Sequence, residues 1–140
     1  RAEYIERELM RYAADRGLAI RGLYRQTDST LAAIGLLWTK RGPAPVAQAY
    51  VRRVFERYWH EELDIQDDSA IRSLLAEAGA PVTGFEEFAR GEGRLALERT
   101  QADLQSAGVF EVPAYCVKGD VFLGRQHLPL IRQLLAGDPG

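Results

Sequence analysis

The chain has 140 residues, of which 46% are hydrophobic, and a formal net charge of −2. That length provides one domain with a hydrophobic core, while the small charge argues against long-range attraction to nucleic acid or to an anionic membrane. A single cysteine excludes an internal disulfide and any metal site built on several cysteines. No apolar run reaches the ~18 residues of a transmembrane helix, so the composition is typical of a soluble, cytoplasmic protein.

Hydrophobic periodicity predicts two helices before the first proline. The first covers Glu3–Arg16 and carries its apolar residues on one face. The second is capped by Asp28 and Ser29 and continues through Lys40. Between them, residues 18–24 are the one short run of the first half that suggests a strand. The second helix is predicted to bury Leu31, Ile34, Leu37 and Trp38.

More helices follow the break at Gly42-Pro43-Ala44-Pro45. The next runs from about Val46 to His60, and its apolar face is wide enough to be buried on two sides. A cap-rich link then leads to further helical patterns that end at Gly108. The remaining predicted helices are Ser69–Ala78, Gly84–Ala89 and Glu92–Ala107.

The C-terminal stretch has a different pattern. Pro113 opens a β-rich run, a Lys118-Gly119-Asp120 turn follows, and a second apolar run ends at Gly124. Two such runs around a glycine-centred turn predict a β-hairpin. Pro113 has no amide proton, so it belongs at the start of an edge-facing strand. Helical spacing of apolar residues then predicts an amphipathic helix over Arg125–Ala136.

This stretch resembles the second half of a thioredoxin fold, in which a loop ending in a cis-proline precedes the third strand. More narrowly, two segments are similar to the C-terminal signature of the 2-hydroxychromene-2-carboxylate isomerase and kappa-class glutathione transferase family, whose wider relatives are DsbA-like oxidoreductases. These segments are Gly108-Val109-Phe110-x-Val112-Pro113 and Phe122-Leu123-Gly124-Arg125-Gln126-His127-Leu128. The resemblance implies an α/β fold of thioredoxin-like type with an all-helical insertion domain. Residues 1–107 would form the mainly helical insertion domain and connecting helices, and residues 108–140 the C-terminal half of a thioredoxin-like domain.

A thioredoxin fold also needs a β-α-β unit before its helical insertion. The chain begins at Arg1 without methionine, and its first part is helix-patterned, so we expect the N-terminal unit to be missing from this segment. The chain should then be mostly helical, with a C-terminal β-hairpin plus helix. The family places a serine or a cysteine at the N-terminus of its first helix to approach the glutathione sulfur. No serine here lies in a matching context, so the catalytic residue is expected outside this segment.

The resemblance makes Val112 and Pro113 the first candidate binding residues. In the thioredoxin fold, the residue before the cis-proline turns its N–H and C=O toward the active site, where an extended ligand backbone pairs with it like an added strand. In the family this pairing holds the cysteinyl part of glutathione. The alternative is that Pro113 follows a trans bond and merely ends a loop.

The second candidate is the turn at the start of the last helix, where free N–H groups and the helix dipole favour a carboxylate. In the family these positions contact the γ-glutamyl end of glutathione through a polar residue and an aspartate. Arg125 and Gln126 stand there in this chain. Gln126 lacks the aspartate's charge for the ligand's ammonium, although its amide oxygen still accepts a hydrogen bond, and Arg125 can attract a carboxylate. The alternative is an ordinary helix start with solvated side chains.

Other residues that could carry chemistry are interpreted as structural. Cys116 has no partner cysteine and no adjacent base, so it is predicted to be a buried small hydrophobe. His60 and His127 have no metal-binding spacing, and no metal site is predicted. Trp38 and Trp59 are interpreted as core residues, with a second interpretation as lining of the family's pocket for its second substrate.

The resemblance therefore implies a glutathione-dependent isomerase or transferase of the 2-hydroxychromene-2-carboxylate isomerase type. Glutathione would be the cosubstrate, and its thiol would add reversibly to a small electrophilic substrate. Family members are often dimers, which makes a homodimer an expectation. Two alternatives stay open: a DsbA-like thiol–disulfide oxidoreductase that holds a cysteine-containing peptide in the same loop, and a non-catalytic peptide-binding thioredoxin-fold module.

Overall fold

A computed structural model of the chain describes residues 2–21 and 27–137. This part is mostly helical and ends in a hairpin followed by a helix, as predicted. A short 3-10 turn, Arg125–His127, precedes the last helix. The helices are α1 (Ala2–Asp15), α2 (Thr30–Thr39), α3 (Ala44–Trp59), α4 (Asp68–Ala78), α5 (Phe85–Arg90), α6 (Glu92–Ser106) and α7 (Leu128–Ala136), and the strands are β1 (Ala114–Val117) and β2 (Asp120–Leu123).

The chain divides into two compact units, Arg1–Leu97 and Glu98–Gly140, with the division inside α6. The predicted division between residues 107 and 108 stays a prediction. Across the two described ranges, no helix has both the length and the apolar character that a membrane crossing requires. The strand-like run predicted at residues 18–24 is not a strand over residues 18–21, and its remainder lies outside the described residues.

The core of the first unit is built by α2, α3, α4 and α5. Its most deeply buried apolar side chains are at most 1% exposed, so each contributes about 1.5–3 kcal/mol of burial free energy. The helical spacing of these residues on their own helices is the reason that one face of each helix enters the core. They are Ile34, Tyr50, Ile71, Leu74, Leu75 and Phe85.

The packing of α2 against α3 depends on Gly35. The Tyr50 hydroxyl donates a hydrogen bond to the Ala32 carbonyl over 2.9 Å, and the ring lies directly over Gly35. A Cβ at position 35 would meet the hydroxyl oxygen and would stand 2.8 Å from Cζ of Tyr50. Burial raises the pKa of the Tyr50 hydroxyl, since the phenolate would lose its hydration there.

The cap of α2 differs from the prediction in detail. The Ser29 side chain makes no capping hydrogen bond. Instead, Asp28 Oδ1 accepts from the Thr30 backbone N–H over 2.9 Å. Hydrogen bonds from the Thr30 side chain, and then from its backbone, hold the pKa of Asp28 below its ordinary value of 3.8.

Two predicted apolar faces are less buried than the sequence suggested. The apolar face of α1 is largely exposed, with Tyr4 at 68%, although Ala13 is buried. On α3, Tyr50 is fully buried, whereas Phe55 is 58% exposed, so the prediction that this face is buried on two sides is wrong. In α2, Ile34 is buried as predicted, and the other three predicted residues pack partly buried against the core: Leu31, Leu37 and Trp38.

The second unit contains the hairpin and α7. β1 and β2 are antiparallel, with Ala114 opposite Leu123 and Val117 opposite Asp120. The connecting residues Lys118 and Gly119 both have positive φ, 52° and 89°, which is typical of the type I′ turns that suit the twist of a two-residue hairpin. Pro129 stands in the first turn of α7, where its missing N–H leaves no carbonyl unpaired.

Candidate functional site

The site predicted from the sequence begins in the bend before β1. The Val112–Pro113 peptide bond is cis, as predicted, and the alternative of a trans bond is wrong. Val112 is 90% exposed as a residue. Within residues 2–21 and 27–137, neither the N–H nor the C=O of Val112 makes a hydrogen bond. The loop therefore presents one peptide donor and one peptide acceptor that the described chain leaves unsatisfied.

The neighbouring proline belongs to the hairpin. The Pro113 carbonyl accepts a hydrogen bond from the Gly124 N–H over 2.8 Å, which extends the pairing by one position beyond Ala114 and Leu123. This bond fixes the start of β1 against the end of β2. It also places the two predicted binding segments side by side, because Arg125 and Gln126 follow Gly124 directly.

The turn after β2 differs from a fully solvated helix start. Arg125 and Gln126 are both exposed, but the Gln126 side chain folds back. Its Nε2 donates to the Leu123 carbonyl over 3.0 Å and lies 3.5 Å from Nε2 of His127. The carboxamide also occupies the space where a Cβ at Gly124 would lie. The Gln126 donor is thus used inside the turn, and Oε1 is the atom that can accept from a ligand.

The start of α7 has fewer free N–H groups than expected from the sequence, and its preference for a negative group stays a prediction. No side chain caps the 3-10 turn at Gly124 or the helix at His127. The Leu128 N–H donates to the Arg125 carbonyl and Pro129 has no N–H, so any attraction of an anion to the start of α7 comes mainly from the helix dipole. The structure therefore brings the four predicted binding residues into one unit, while their role in binding remains a prediction. They are Val112, Pro113, Arg125 and Gln126.

Cys116 is exposed, so the prediction that it is a buried small hydrophobe is wrong. It stands opposite Val121 in the hairpin. Successive side chains of a strand point to opposite faces, and the neighbours Tyr115 and Val117 take the half-buried face. The sequence could not show this, because a run of apolar residues does not say which face of a two-stranded sheet is covered.

The two histidines occupy separate places. His60 ends α3, where its backbone N–H donates to the Glu56 carbonyl. The His127 ring packs against Phe122, with ring centres 5.8 Å apart. In the described part of the chain, no group of three or more His, Cys, Asp or Glu side chains is placed to hold a metal ion.

The two tryptophans differ in surroundings. Trp38 Nε1 donates to the Pro81 carbonyl over 2.6 Å, and its ring packs against Phe85 and Phe88 with Arg41 stacked over it. Trp59 packs edge-on against Tyr58 with ring centres 5.2 Å apart. Trp38 thus belongs to the core of the first unit, as one of its two interpretations predicted.

The first unit also contains a cavity of about 310 Å³ between α2 and α3. Three aromatic side chains of α3, the helix for which the sequence predicted a wide apolar face, line it: Tyr50, Phe55 and Tyr58. Neither tryptophan does. Sequence reasoning missed the rest of its lining, since small residues such as Ala32 and Ala33 carry no signal of a cavity until the opposite helix is in place.

A family model described as the DSBA-like thioredoxin domain matches residues 1–136. The match includes both units, and with them the Val112–Pro113 loop and all of α7. No curated protein matches the chain.

Proposed function

The chain belongs to the DSBA-like thioredoxin domain family, and we propose that its Val112–Pro113 loop binds glutathione. The activity proposed is that of a glutathione-dependent isomerase or transferase of the 2-hydroxychromene-2-carboxylate isomerase type. One observation supports this most directly: Val112 is an exposed residue whose backbone N–H and C=O make no hydrogen bond within the described chain. An extended peptide-like ligand satisfies both groups by pairing as an added strand.

Arg125 and Gln126 would bind the polar end of the ligand. The pairing of Pro113 with Gly124 holds their turn beside the loop. An Arg125 guanidinium and the dipole of α7 favour a carboxylate. Gln126 Oε1 would accept from the ligand's ammonium, a weaker contact than a carboxylate would make, because a neutral acceptor lacks the charge. We therefore expect glutathione to bind with micromolar to millimolar affinity rather than more tightly.

The proposed reaction involves no net oxidation or reduction, so it needs no added oxidant or reductant. The glutathione thiolate adds to the carbon β to a substrate carbonyl, forming a C–S bond; the C=C π pair becomes a double bond between the α carbon and the carbonyl carbon, and the C=O π pair moves to oxygen, giving an enolate. Rotation about the resulting single bond and return of the electron pair then restore the C=C bond and expel the thiolate. In the transferase variant, the thiolate instead displaces a leaving group that departs with its electron pair. The residues described bind and orient glutathione, and none of them is assigned the catalytic role.

A second candidate is a DsbA-like thiol–disulfide oxidoreductase, which is equally compatible with the family match. A loop that pairs through the main chain of Val112 accepts a cysteine-containing peptide as readily as glutathione, because backbone pairing does not depend on the ligand's side chains. A non-catalytic peptide-binding module would use the same contacts. The preference for glutathione over a peptide would then come from Arg125 and the start of α7.

The test is calorimetric titration of the full chain with reduced glutathione. Val112→Pro removes the N–H and is expected to weaken binding about tenfold, whereas Val112→Ala keeps the peptide group and stays within about threefold. Glu111→Pro is the matched control, since it introduces proline into the same bend and leaves the Val112 N–H in place. Circular dichroism checks that all three variants fold.

The same titration with a cysteine-containing peptide separates the candidates. Glutathione binding that weakens in Val112→Pro and in Arg125→Gln supports the glutathione proposal. Peptide binding with no heat from millimolar glutathione refutes it and leaves the oxidoreductase and the binding module. An assay of disulfide exchange with a disulfide-bonded peptide then distinguishes these two.

A further inference from the structure

We propose that the cavity between α2 and α3 is a ligand site for a neutral molecule of about the size of a two-ring aromatic, carrying one hydrogen-bond acceptor. Its lining comes from residues of the first unit alone. The proposal is independent of glutathione binding at Val112, so either can fail without the other.

The size and lining of the cavity define the body of the ligand. Its volume of about 310 Å³ is at the lower end of small-molecule sites and about twice the ~150 Å³ that admits one benzene. Small and branched apolar side chains form most of its wall, so it favours a flat apolar ring system over a flexible polar one. The wall residues are Ala32, Ala33 and Leu36 from α2, Val51 and Val54 from α3, and Ile65.

The wall is held in place by Tyr50, which itself belongs to the lining. Tyr50 is 1% exposed, donates to the Ala32 carbonyl, and fills the space over Gly35. Because α2 and α3 are fixed at this contact, they cannot close onto the cavity without breaking a buried hydrogen bond. The mouth carries Phe55, which is 58% exposed, and a flat apolar ligand would remove part of that ring from water.

The polar end of the cavity is the reason that we expect the ligand to carry a hydrogen-bond acceptor. Thr27 Oγ1 and the Tyr58 hydroxyl are 3.0 Å apart and share one hydrogen bond. Each hydroxyl has one hydrogen, so whichever of them accepts within the pair keeps its own hydrogen for a third group. A ligand carbonyl, ether or ring nitrogen at this end would accept it.

The described residues of the lining favour a neutral ligand. No Asp, Glu, Lys or Arg side chain is among the described residues that line the cavity. A charged ligand would give up its hydration without meeting an opposite charge, which costs several kcal/mol or more. The site should therefore discriminate against carboxylates of the same shape.

The experiment follows methyl resonances of the full chain by NMR during titration with three probes of matched shape. Quinoline, a neutral ring system with one acceptor nitrogen, is expected to shift the methyl groups of Val51, Val54 and Ile65 saturably. Naphthalene lacks the acceptor. It should bind about threefold to tenfold more weakly, because it forms one hydrogen bond fewer. 1-Naphthoate should give no saturable shift at these methyl groups.

Three variants tie the binding to the cavity. Ala33→Leu fills it and should weaken quinoline binding at least about tenfold, while Ala47→Leu, a half-buried position of α3 outside the lining, is the matched control. The double variant Thr27→Val with Tyr58→Phe keeps the shape and should abolish the preference for quinoline over naphthalene. Because this preference is measured within one protein, it remains informative should Ala33→Leu fail to fold.

Several results would overturn the proposal. One is the absence of saturable shifts with quinoline. Others are equal binding of 1-naphthoate, or a quinoline preference that survives in the double variant. Shifts at these methyl groups that follow protein concentration instead of probe concentration would assign the cavity to a second copy of the chain.

Discussion

Asp28 shows how a single side chain couples pH to the fold. Its carboxylate accepts from Thr30 at the start of α2, and its pKa is lowered chiefly by the hydrogen bonds from Thr30. A carboxyl whose folded-state pKa lies below its unfolded value stabilises the fold above the unfolded pKa and loses this contribution as pH falls through the folded one. The contribution of Asp28 should therefore be present at neutral pH and decline below pH 3.8.

We expect Asp28→Asn to lower the thermal midpoint at neutral pH and to match the unsubstituted chain under strongly acidic conditions. Asn keeps the capping oxygen and removes the charge, so the pH-dependent difference isolates the carboxylate. Ser29→Ala, which removes a side chain that makes no cap hydrogen bond, is the control and should leave the midpoint unchanged. A difference between Asp28→Asn and the unsubstituted chain that stays constant through the acid range would contradict this account.

At the residue scale, the sequence predicted correctly those features that depend on neighbouring residues, such as helix capping. It failed for features that depend on burial by distant elements. The cap of α2 was placed at the correct pair of residues, because short polar side chains before a helix can serve that function. Whether Asp28 or Ser29 accepts the hydrogen bond depends on backbone angles that cannot be read from the sequence. Cys116 was misjudged for another reason: its exposure depends on what covers each face of the hairpin.

At the scale of elements, the contact between α2 and α3 allows the effect of a glycine substitution on stability to be predicted. Gly35→Ala should destabilise the chain by about 1–3 kcal/mol, since the new methyl group would overlap Tyr50. Gly42→Ala is the matched control. A Cβ there would meet the Thr39 carbonyl oxygen at 3.6 Å, an ordinary contact, so its effect should stay within about 0.5 kcal/mol. Chemical denaturation measures both, and equal effects would show that the packing of Tyr50 does not determine the α2–α3 contact.

The helices themselves were predictable because a 3.6-residue period can be read locally. Proline and glycine mark most of their ends, as at Gly42-Pro43 before α3 and at Gly108 after α6. The depth to which each face is buried was not predictable, and Phe55 shows why. It continues the apolar face of α3 yet stands at the mouth of a cavity, because a helix face is buried only where another element covers it.

At the scale of the whole molecule, the family-level fold could be predicted from the last part of the sequence. The prolyl bend, the two-residue turn and the glycine before α7 each require special residues, and these recur at recognisable spacing. The cavity of the first unit could not be predicted in this way. It arises between two consecutive helices whose mutual packing cannot be read from either helix alone, and its wall uses residues such as Ala33 and Val54 that suit any core.

The central claim is that the peptide group of Val112 binds glutathione, and the amide resonance of Val112 tests it most directly. In a titration of the ¹⁵N-labelled full chain with reduced glutathione, we expect this amide proton to move downfield saturably as its hydrogen bond forms. The resonances of Arg125 and Gln126 should follow with the same affinity. A Val112 amide that stays unmoved at millimolar glutathione, while the calorimeter still records binding, would contradict the account by locating the ligand elsewhere.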